Sequence, residues 1–121
     1  MDQTSKAIRA GVPMLAGSDA GNPVTFHGVS LVRELELLAQ AGMPLTDVLK
    51  SATSRAADRV GLSTIGRVTV GSVADLVILG ADPLENASAY RQVIQVYMGG
   101  RKLPMADLLR TSPGPWRPGI H

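Results

Sequence analysis

The spacing of apolar residues along the chain changes at Gly66, and this change limits the folds that the chain can adopt. Between Ser30 and Ala41 the apolar residues recur four and seven or eight positions apart, with charged residues between them, which is typical of an amphipathic helix. Beyond Gly66 the spacing falls to two or to short continuous apolar runs, which predict strands. A helical first part followed by a strand-rich second part indicates an α/β chain.

Glycine and proline mark the ends of the predicted helices in the first part. The segment Thr4–Ala10 is predicted to be the end of a helix that terminates at Gly11, a residue able to adopt the left-handed conformation of a helix end. A further helix is predicted to start after Pro44, to break briefly near Thr53 and to continue to Gly61. The first part is therefore expected to hold several short helices joined by tight turns.

A short apolar run between the first two helices predicts a buried strand. This run, Val12–Gly17, leads directly into the polar turn cluster Ser18–Pro23. Pro13 stands near its start, where a missing N–H group disturbs a sheet least. The strand is thus expected to deliver a polar loop at its carboxyl end.

The second part is predicted to be mostly strand. Four short strands are expected, with a helical turn over 86–91 between the second and the third: Arg67–Val70, Val73–Leu79, Val93–Met98 and Arg101–Leu103. The pair Gly99 and Gly100 predicts a hairpin turn between the last two strands. Asp75 is interpreted as a structural residue that bonds to the adjoining turn, not as an acid catalyst.

Composition excludes several classes of function. The 121 residues include no cysteine, which excludes disulfides, thiolate metal sites and cysteine nucleophiles. The net charge is +2, the 12 basic residues are scattered and only four residues are aromatic, so no nucleic-acid partner is expected. The sequence shows neither a signal segment nor an apolar run of membrane-spanning length, and a cytoplasmic protein without a membrane partner is expected.

A series of short motifs over residues 6–103 carries a resemblance to a known family. In order, the motifs are Ala10-Gly11-Val12-Pro13, Gly17-Ser18-Asp19-Ala20-Gly21, His27-Gly28, Arg33-Glu34-Leu35, Ala41-Gly42-Met43, Ala52-Thr53, Gly71-Ser72-Val73-Ala74-Asp75-Leu76-Val77 and Gly99-Gly100. Their order and spacing resemble the C-terminal portion of the amidohydrolase superfamily, in particular its imidazolonepropionase-like and Xaa-Pro dipeptidase (prolidase-like) branch.

The resemblance implies a fold. Members of this superfamily are (β/α)8 barrels followed by a small β-sandwich, with one or two divalent metal ions, zinc foremost, at the mouth of the barrel. By this resemblance residues 1–62 are the end of the barrel, with its last strand and the following helices. Residues 63–106 are part of the small sandwich, and residues 107–121 are an irregular tail. At 121 residues the chain is well below the roughly 250 residues of a complete barrel.

The resemblance also implies site residues. Asp19 matches an aspartate at the end of the eighth barrel strand that binds metal and shuttles a proton from the attacking water to the leaving group. His27 matches a loop position that faces the substrate. On general turn chemistry alone, Asp19 could instead bond its own loop backbone, and His27 could cap a helix or face solvent.

The other ligands of the family are not found in this sequence. They are a His-x-His pair, often a carboxylated lysine, and two single histidines, whereas the chain has only His27 and His121. The leading hypothesis is therefore part of an enzyme that hydrolyses C–N bonds of small peptide-like or cyclic substrates, inactive until a complementary N-terminal fragment joins it. Two alternatives remain: a non-enzymatic remnant that self-associates or binds a partner, and a small hydrolase assembled across a homo-oligomer, in which Glu34 and Glu36 converge with Asp19.

Overall fold

A computed structural model of the chain describes residues 2–22 and 25–108. The helices are α1 (Asp2–Arg9), α2 (Val29–Gln40), α3 (Leu45–Ala52), α4 (Ser54–Arg59) and α5 (Met105–Leu108), with a 3-10 helix over Ala87–Arg91; the strands are β1 (Leu76–Leu79), β2 (Val93–Met98) and β3 (Arg101–Lys102). This α/β content confirms the predicted class. The tail from residue 109 on, with His121, lies outside the described residues. In the described part, no helix has both the length and the hydropathy to cross a membrane.

The predicted helix ends are confirmed at Gly11. Its N–H donates to the Ile8 carbonyl at 3.0 Å, the next N–H donates to the Ala7 carbonyl at 3.0 Å, and its φ of +72° is left-handed. This pair of bonds satisfies carbonyls that the end of α1 would otherwise leave without a partner. The same pattern ends α2 at Gly42 and α4 at Gly61. The chain thus turns sharply at the end of each of these three helices.

The helices pack around a small aliphatic core. Its buried members come from α2, from the turn after it and from α3: Leu35, Leu38, Met43 and Val48. Partly buried apolar residues surround them, from α1, the segment after it, α2, α3 and the 3-10 helix: Ile8, Met14, Ala16, Ala39, Ala52 and Tyr90. This core is where the first and second parts of the chain meet.

The predicted strand over Val12–Gly17 forms no ladder in the described chain, where residues 12–19 pair with no strand. Nor is the segment buried, since the side chains of Val12 and Leu15 are 50% and 40% exposed. Its Ala16 N–H donates instead to the Ser51 carbonyl at the end of α3, at 3.2 Å. A strand is held by ladder bonds to neighbouring strands, and an apolar run of this length predicts the strand without showing where its neighbours lie.

The second part folds into a three-stranded antiparallel sheet in the order β1-β2-β3. Met98 pairs with Arg101, so Gly99 and Gly100 form a two-residue hairpin loop, and their φ values of +55° and +79° match a type I′ turn. The Asp75 carboxylate accepts a hydrogen bond from the Gly99 N–H at 2.7 Å. The predicted hairpin and the predicted bond between Asp75 and a turn are both confirmed.

The predicted strand over Arg67–Val70 is wrong. Val68 and Val70 are exposed and belong to no strand, and the predicted strand Val73–Leu79 begins only at Leu76. The backbone turns after Val70, where the Ser72 N–H donates to the Thr69 carbonyl at 3.1 Å. As at residues 12–19, the β-branched sequence favours a strand but finds no partner in the described chain.

An ion pair joins α2 to the 3-10 helix. The Arg91 guanidinium donates to both oxygens of Glu36, Nε to Oε1 at 2.5 Å and Nη2 to Oε2 at 2.7 Å, and Arg33 adds a contact to Oε2 at 3.3 Å. The Glu36 side chain is only 12% exposed. Next to this pair, burial of Tyr90 raises the pKa of its phenol, whose hydroxyl finds no hydrogen-bond partner in the described chain. The two parts of the chain are therefore joined by charge as well as by the core.

The Glu36 pair predicts a pH dependence of stability. The hydrogen bond from Arg91, more than the contact from Arg33, holds the pKa of Glu36 below its ordinary value of 4.5 in the folded chain. A lowered folded pKa contributes stability above that ordinary value, and this contribution is lost as pH falls through the lowered pKa. In urea unfolding, we expect Glu36→Gln to be less stable than the wild type at neutral pH, with a difference that shrinks in acid.

The control is Glu34→Gln, on the same helix, since Glu34 takes part in none of the ion pairs of the described residues. If the two variants showed the same pH dependence, the Glu36–Arg91 pair would have no part in holding the two parts together.

Close packing at Gly66 gives a second prediction. A Cβ atom there would lie 2.7 Å from the Thr53 carbonyl oxygen, and the φ of Gly66 is +73°. Gly61 has a similar φ of +77° but open space around it. We expect Gly61→Ala to lower the free energy of unfolding by about 1 kcal/mol through backbone strain, and Gly66→Ala by about 1–3 kcal/mol more through the clash. Equal losses in thermal or urea unfolding would contradict this packing.

Candidate active-site loop around Asp19

Partly buried and exposed side chains alternate along the segment that leads to Asp19. Met14, Ala16, Ser18 and Ala20 are partly buried, and Met14 and Ala16 pack on the core. The residues between them are exposed: Pro13, Leu15, Gly17 and Asp19. A period of two over eight residues means that one face of the segment rests on the helices while the opposite face is open. Asp19 stands at the carboxyl end of the open face.

Asp19 adopts a conformation that few residues other than glycine accept. Its φ is +47°, and among the described residues no other non-glycine residue has a positive φ. The Asn22 side-chain amide donates to Asp19 Oδ2 at 2.7 Å and to its carbonyl oxygen at 3.1 Å. Among the described residues, none donates a hydrogen bond to Oδ1. Within the described residues, the Asp19 carboxylate thus bonds to a side chain of its own loop and not to the loop backbone.

The loop after Asp19 folds back on itself. The Gly21 N–H donates to the Thr25 carbonyl at 3.3 Å, and the Thr25 N–H donates to the Asn22 carbonyl at 3.1 Å. His27 follows in the turn that enters α2 and is exposed. Asp19 and His27 therefore stand at the two ends of one short loop, but no contact joins the two side chains within the described residues. A role for His27 at the substrate stays a prediction.

The described residues do not form a metal site by themselves. No group of three or more His, Cys, Asp or Glu side chains in residues 2–22 and 25–108 is placed to hold an ion. Glu36, which was to converge with Asp19 in one hypothesis, is engaged by Arg91 and Arg33 instead. A catalytic zinc takes about three protein ligands. Asp19 can supply one of them, and other residues would have to supply the rest.

A second concave surface lies apart from the loop. An open groove of about 330 Å³ is lined by Arg67, Val68, Thr69, Val70, Ser72, Val73, Ala74 and Leu76. Its lining is mostly apolar in area and includes no residue of the Asp19 loop. The groove thus offers packing surface and no carboxylate or imidazole for chemistry.

Sequence reasoning missed the partner of Asp19 and one exposed residue of the loop that follows it. Asn22 was not identified as its partner, although an Asn three residues after an Asp in a turn is a common side-chain bonding pattern. Phe26 was not identified either, and its ring is 71% exposed. The sequence signal for Phe26 was its place in a polar loop, next to His27, as the single Phe of the chain.

The chain shares sequence and fold with known proteins. Residues 2–103 match the Amidohydrolase family. An adenine deaminase of Serratia proteamaculans (strain 568) is 39% identical over 71 residues, which are 59% of this chain and 11% of that protein. A crystal structure of a Xaa-Pro dipeptidase with bound methionine superposes with a TM-score of 0.77 and 30% identity, over 84% of this chain and 25% of that one.

A third likeness concerns the fold alone. The structure of molinate hydrolase gives a TM-score of 0.83 at 21% identity, over 99% of this chain and 30% of that chain. The chain therefore spans about a tenth to a third of the proteins it matches. The predicted resemblance is confirmed at the level of the family. With 102 consecutive residues matched and the fold shared, the chain belongs to the amidohydrolase family.

Proposed function

We propose that the chain forms the last strand and helices of a (β/α)8 barrel with part of an adjoining small β domain, and that it contributes Asp19 to a hydrolytic active site. The alternating exposure of residues 13–20 carries the proposal. In such a barrel each strand has one face toward the outer helices and one toward the interior, and the chemistry lies at the carboxyl ends of the strands.

Residues 13–20 have the two faces that a barrel strand would have, one toward the outer helices and one toward the interior. Met14 and Ala16 lie on the helical core, as the outer face of a barrel strand does. Leu15 and Asp19 lie on the opposite face, which is open in this chain. The other seven strands of such a barrel, which the described residues do not include, would cover that face and both edges of the segment. Asp19 would then project into the mouth of the barrel.

The reaction class follows from the chemistry that the relatives' names share. Deamination of adenine and hydrolysis of a dipeptide both replace a C–N bond by a C–O bond from water. Asp19 Oδ1 would take a proton from the attacking water and deliver it to the departing nitrogen, as a general base and then a general acid. The substrate is proposed to be a small compound with such a bond, either cyclic or peptide-like.

A divalent metal ion, zinc foremost, is proposed in the complete site, where it would polarise the group under attack. Asp19 is the one described residue offered as its ligand. The remaining ligands would come from a polypeptide that supplies the other part of the family fold, in the same chain or in another. The chain by itself is proposed to be inactive.

A non-enzymatic role is the second candidate. It is supported by the exposed apolar residues of the sheet: Val77 and Met98, on one face, are each 58% exposed, and Ile94, at the bulge of β2, is 60% exposed. Such a face favours association with another surface. This role predicts a defined oligomer that contains no metal.

The two candidates are separated by Asp19→Asn. The chain would be tagged in its native cell, the assembly that contains it purified, and hydrolysis of adenine and of Xaa-Pro dipeptides measured with the metal content. We expect Asp19→Asn to lower kcat by about a hundredfold or more, because the amide cannot carry the proton. Asp75→Asn is the matched control, since its oxygen can still accept from the Gly99 N–H. Equal activity of the wild type and Asp19→Asn would refute the enzymatic role.

The left-handed φ of Asp19 gives a prediction on stability. Asp19→Gly and Asp19→Ala both lose the bond from Asn22, but only glycine accepts a φ of +47° without strain. We expect the glycine variant to be more stable than the alanine variant by about 1 kcal/mol in urea unfolding. Both should be inactive in the assembly. An alanine variant as stable as the glycine variant would show that the position stores no strain.

A further inference from the structure

The side chain of Asn22 holds two oxygens of one residue. Its nitrogen, Nδ2, lies 2.7 Å from Asp19 Oδ2 and 3.1 Å from the Asp19 carbonyl oxygen. An amide nitrogen carries two hydrogen atoms, so one can go to each of these acceptors. An ionised carboxylate and a carbonyl accept but do not donate, so the amide oxygen of Asn22 could not take this place. These two bonds, called here the Asn22 clamp, join the main chain and the side chain of Asp19 through one group.

The Asn22 clamp spans a strained unit of backbone. The φ of Asp19 is +47°, a value that residues with a Cβ atom rarely adopt. Strain of this kind persists where the surrounding structure holds it, and it is concentrated at functional sites. The clamp bonds to the carbonyl that follows this φ and to the carboxylate that branches from the same residue. It therefore fixes the side chain of Asp19 relative to its own backbone.

Asn22 is itself anchored on the loop. Its carbonyl accepts a hydrogen bond from the Thr25 N–H at 3.1 Å, and the N–H of the preceding Gly21 donates to the Thr25 carbonyl at 3.3 Å. These two bonds hold the main chain from which the Asn22 side chain extends. On the other side of Asp19, Ala16 packs on the aliphatic core. Asp19 is thus held both by the segment before it and by the loop after it.

A bond at this place affects direction more than stability. Asp19 and Asn22 are both exposed, and water competes for exposed hydrogen bonds, so the net gain in stability from each is small. Holding Oδ2 nevertheless restricts rotation of the carboxylate, and Oδ1 is fixed with it because both oxygens are bonded to one carbon. A group that transfers protons must lie within hydrogen-bond reach of its partner. A misplacement of about 1 Å can lower a rate by about a hundredfold.

We propose that Asn22 is a positioning residue, which holds Oδ2 of Asp19 so that Oδ1 is directed at the attacking water. Asn22 acts through Asp19 and is assigned no contact with the substrate. This inference rests on the proposed function, since it gives the Asn22 clamp a part in the proton transfer by Asp19.

The experiment uses the native assembly purified through a tag on this chain, with zinc in excess and with adenine and Ala-Pro as the substrates. Asn22→Ala removes both donated hydrogens. Asn22→Asp keeps the size of the side chain and its suitability for a turn, but offers no hydrogen when ionised. The control is Asn86→Ala, which also loses an exposed bond within a turn, since the Asn86 side chain accepts from the Ser88 N–H at 2.9 Å.

We expect Asn22→Ala to lower kcat about tenfold and to leave KM and the metal content within about twofold, because the loss falls on the transition state. Asn22→Asp should lower kcat at least as much, since it places a second negative charge beside Asp19 in place of the donor. A residue that only shapes the turn would tolerate Asp and would change KM or the metal content instead. Asn86→Ala should leave all three quantities within about twofold of the wild type.

A wild-type kcat in either Asn22 variant, with Asp19→Asn inactive, overturns the inference and leaves the proposed function standing. An equal loss of kcat in Asn86→Ala also overturns it. If the wild-type assembly hydrolyses neither substrate, the proposed function is wrong and the positioning role is wrong with it.

The Asn22 clamp is tested separately, without any activity, by a double-mutant cycle of Asp19→Ala and Asn22→Ala in urea unfolding of the chain. We expect the two substitutions to be coupled by about threefold or more in the equilibrium constant of unfolding, because each removes the same bonds. Independent effects would show that the clamp does not form, and would overturn the inference whatever the assembly hydrolyses.

Discussion

The packing of Met14 and Ala16 against the helical core decides where the Asp19 carboxylate lies. Both residues contact the buried cluster around Leu35 and Val48. Because side chains alternate along an extended segment, fixing these two on one side places Leu15 and Asp19 on the other. In the described chain no strand pairs with the segment. Its position is therefore fixed by the packing of Met14 and Ala16 on the core and by the bond from the Ala16 N–H to the Ser51 carbonyl. The candidate site therefore depends on a core of only a few aliphatic residues.

The sheet is positioned by the same core through the 3-10 helix. This helix lies in sequence between β1 and β2, and its Tyr90 packs on the cluster while Arg91 binds Glu36 of α2. The Glu36 carboxylate is largely covered, and both of its oxygens bond to Arg91. A bidentate pair of this kind fixes orientation as well as distance. The sheet is thus attached to the surface of α2 at one place, through both apolar and charged contacts.

Local signals in the sequence predicted the helices and turns because the physical cause of each lies within a few residues. Gly11 ends its helix through bonds to Ile8 and Ala7, and the Gly99-Gly100 hairpin needs only two positive φ values. The predicted strands over 12–17 and 67–70 do not form in the described chain, because a strand requires a partner and β-branched or apolar residues do not supply one. Of the site, the position of Asp19 at the end of its segment could be predicted. The bond from Asn22 and the exposure of Phe26 depend on how the loop closes, which its composition does not specify.

The number of available ligands bears on what completes the site. The described part of each chain offers Asp19 and His27 beside the candidate site, so two copies offer four ligands. A metal ion on a two-fold axis would bind the same residues of both copies, so its number of protein ligands would be two or four. A catalytic zinc instead has three protein ligands and one open position. Two metals off the axis would need six ligands. A complementary polypeptide with its own histidines avoids both difficulties, and the chain's match to only 25% of the Xaa-Pro dipeptidase leaves ample family sequence to supply them. We therefore favour completion by the other part of the family fold over completion by a second copy.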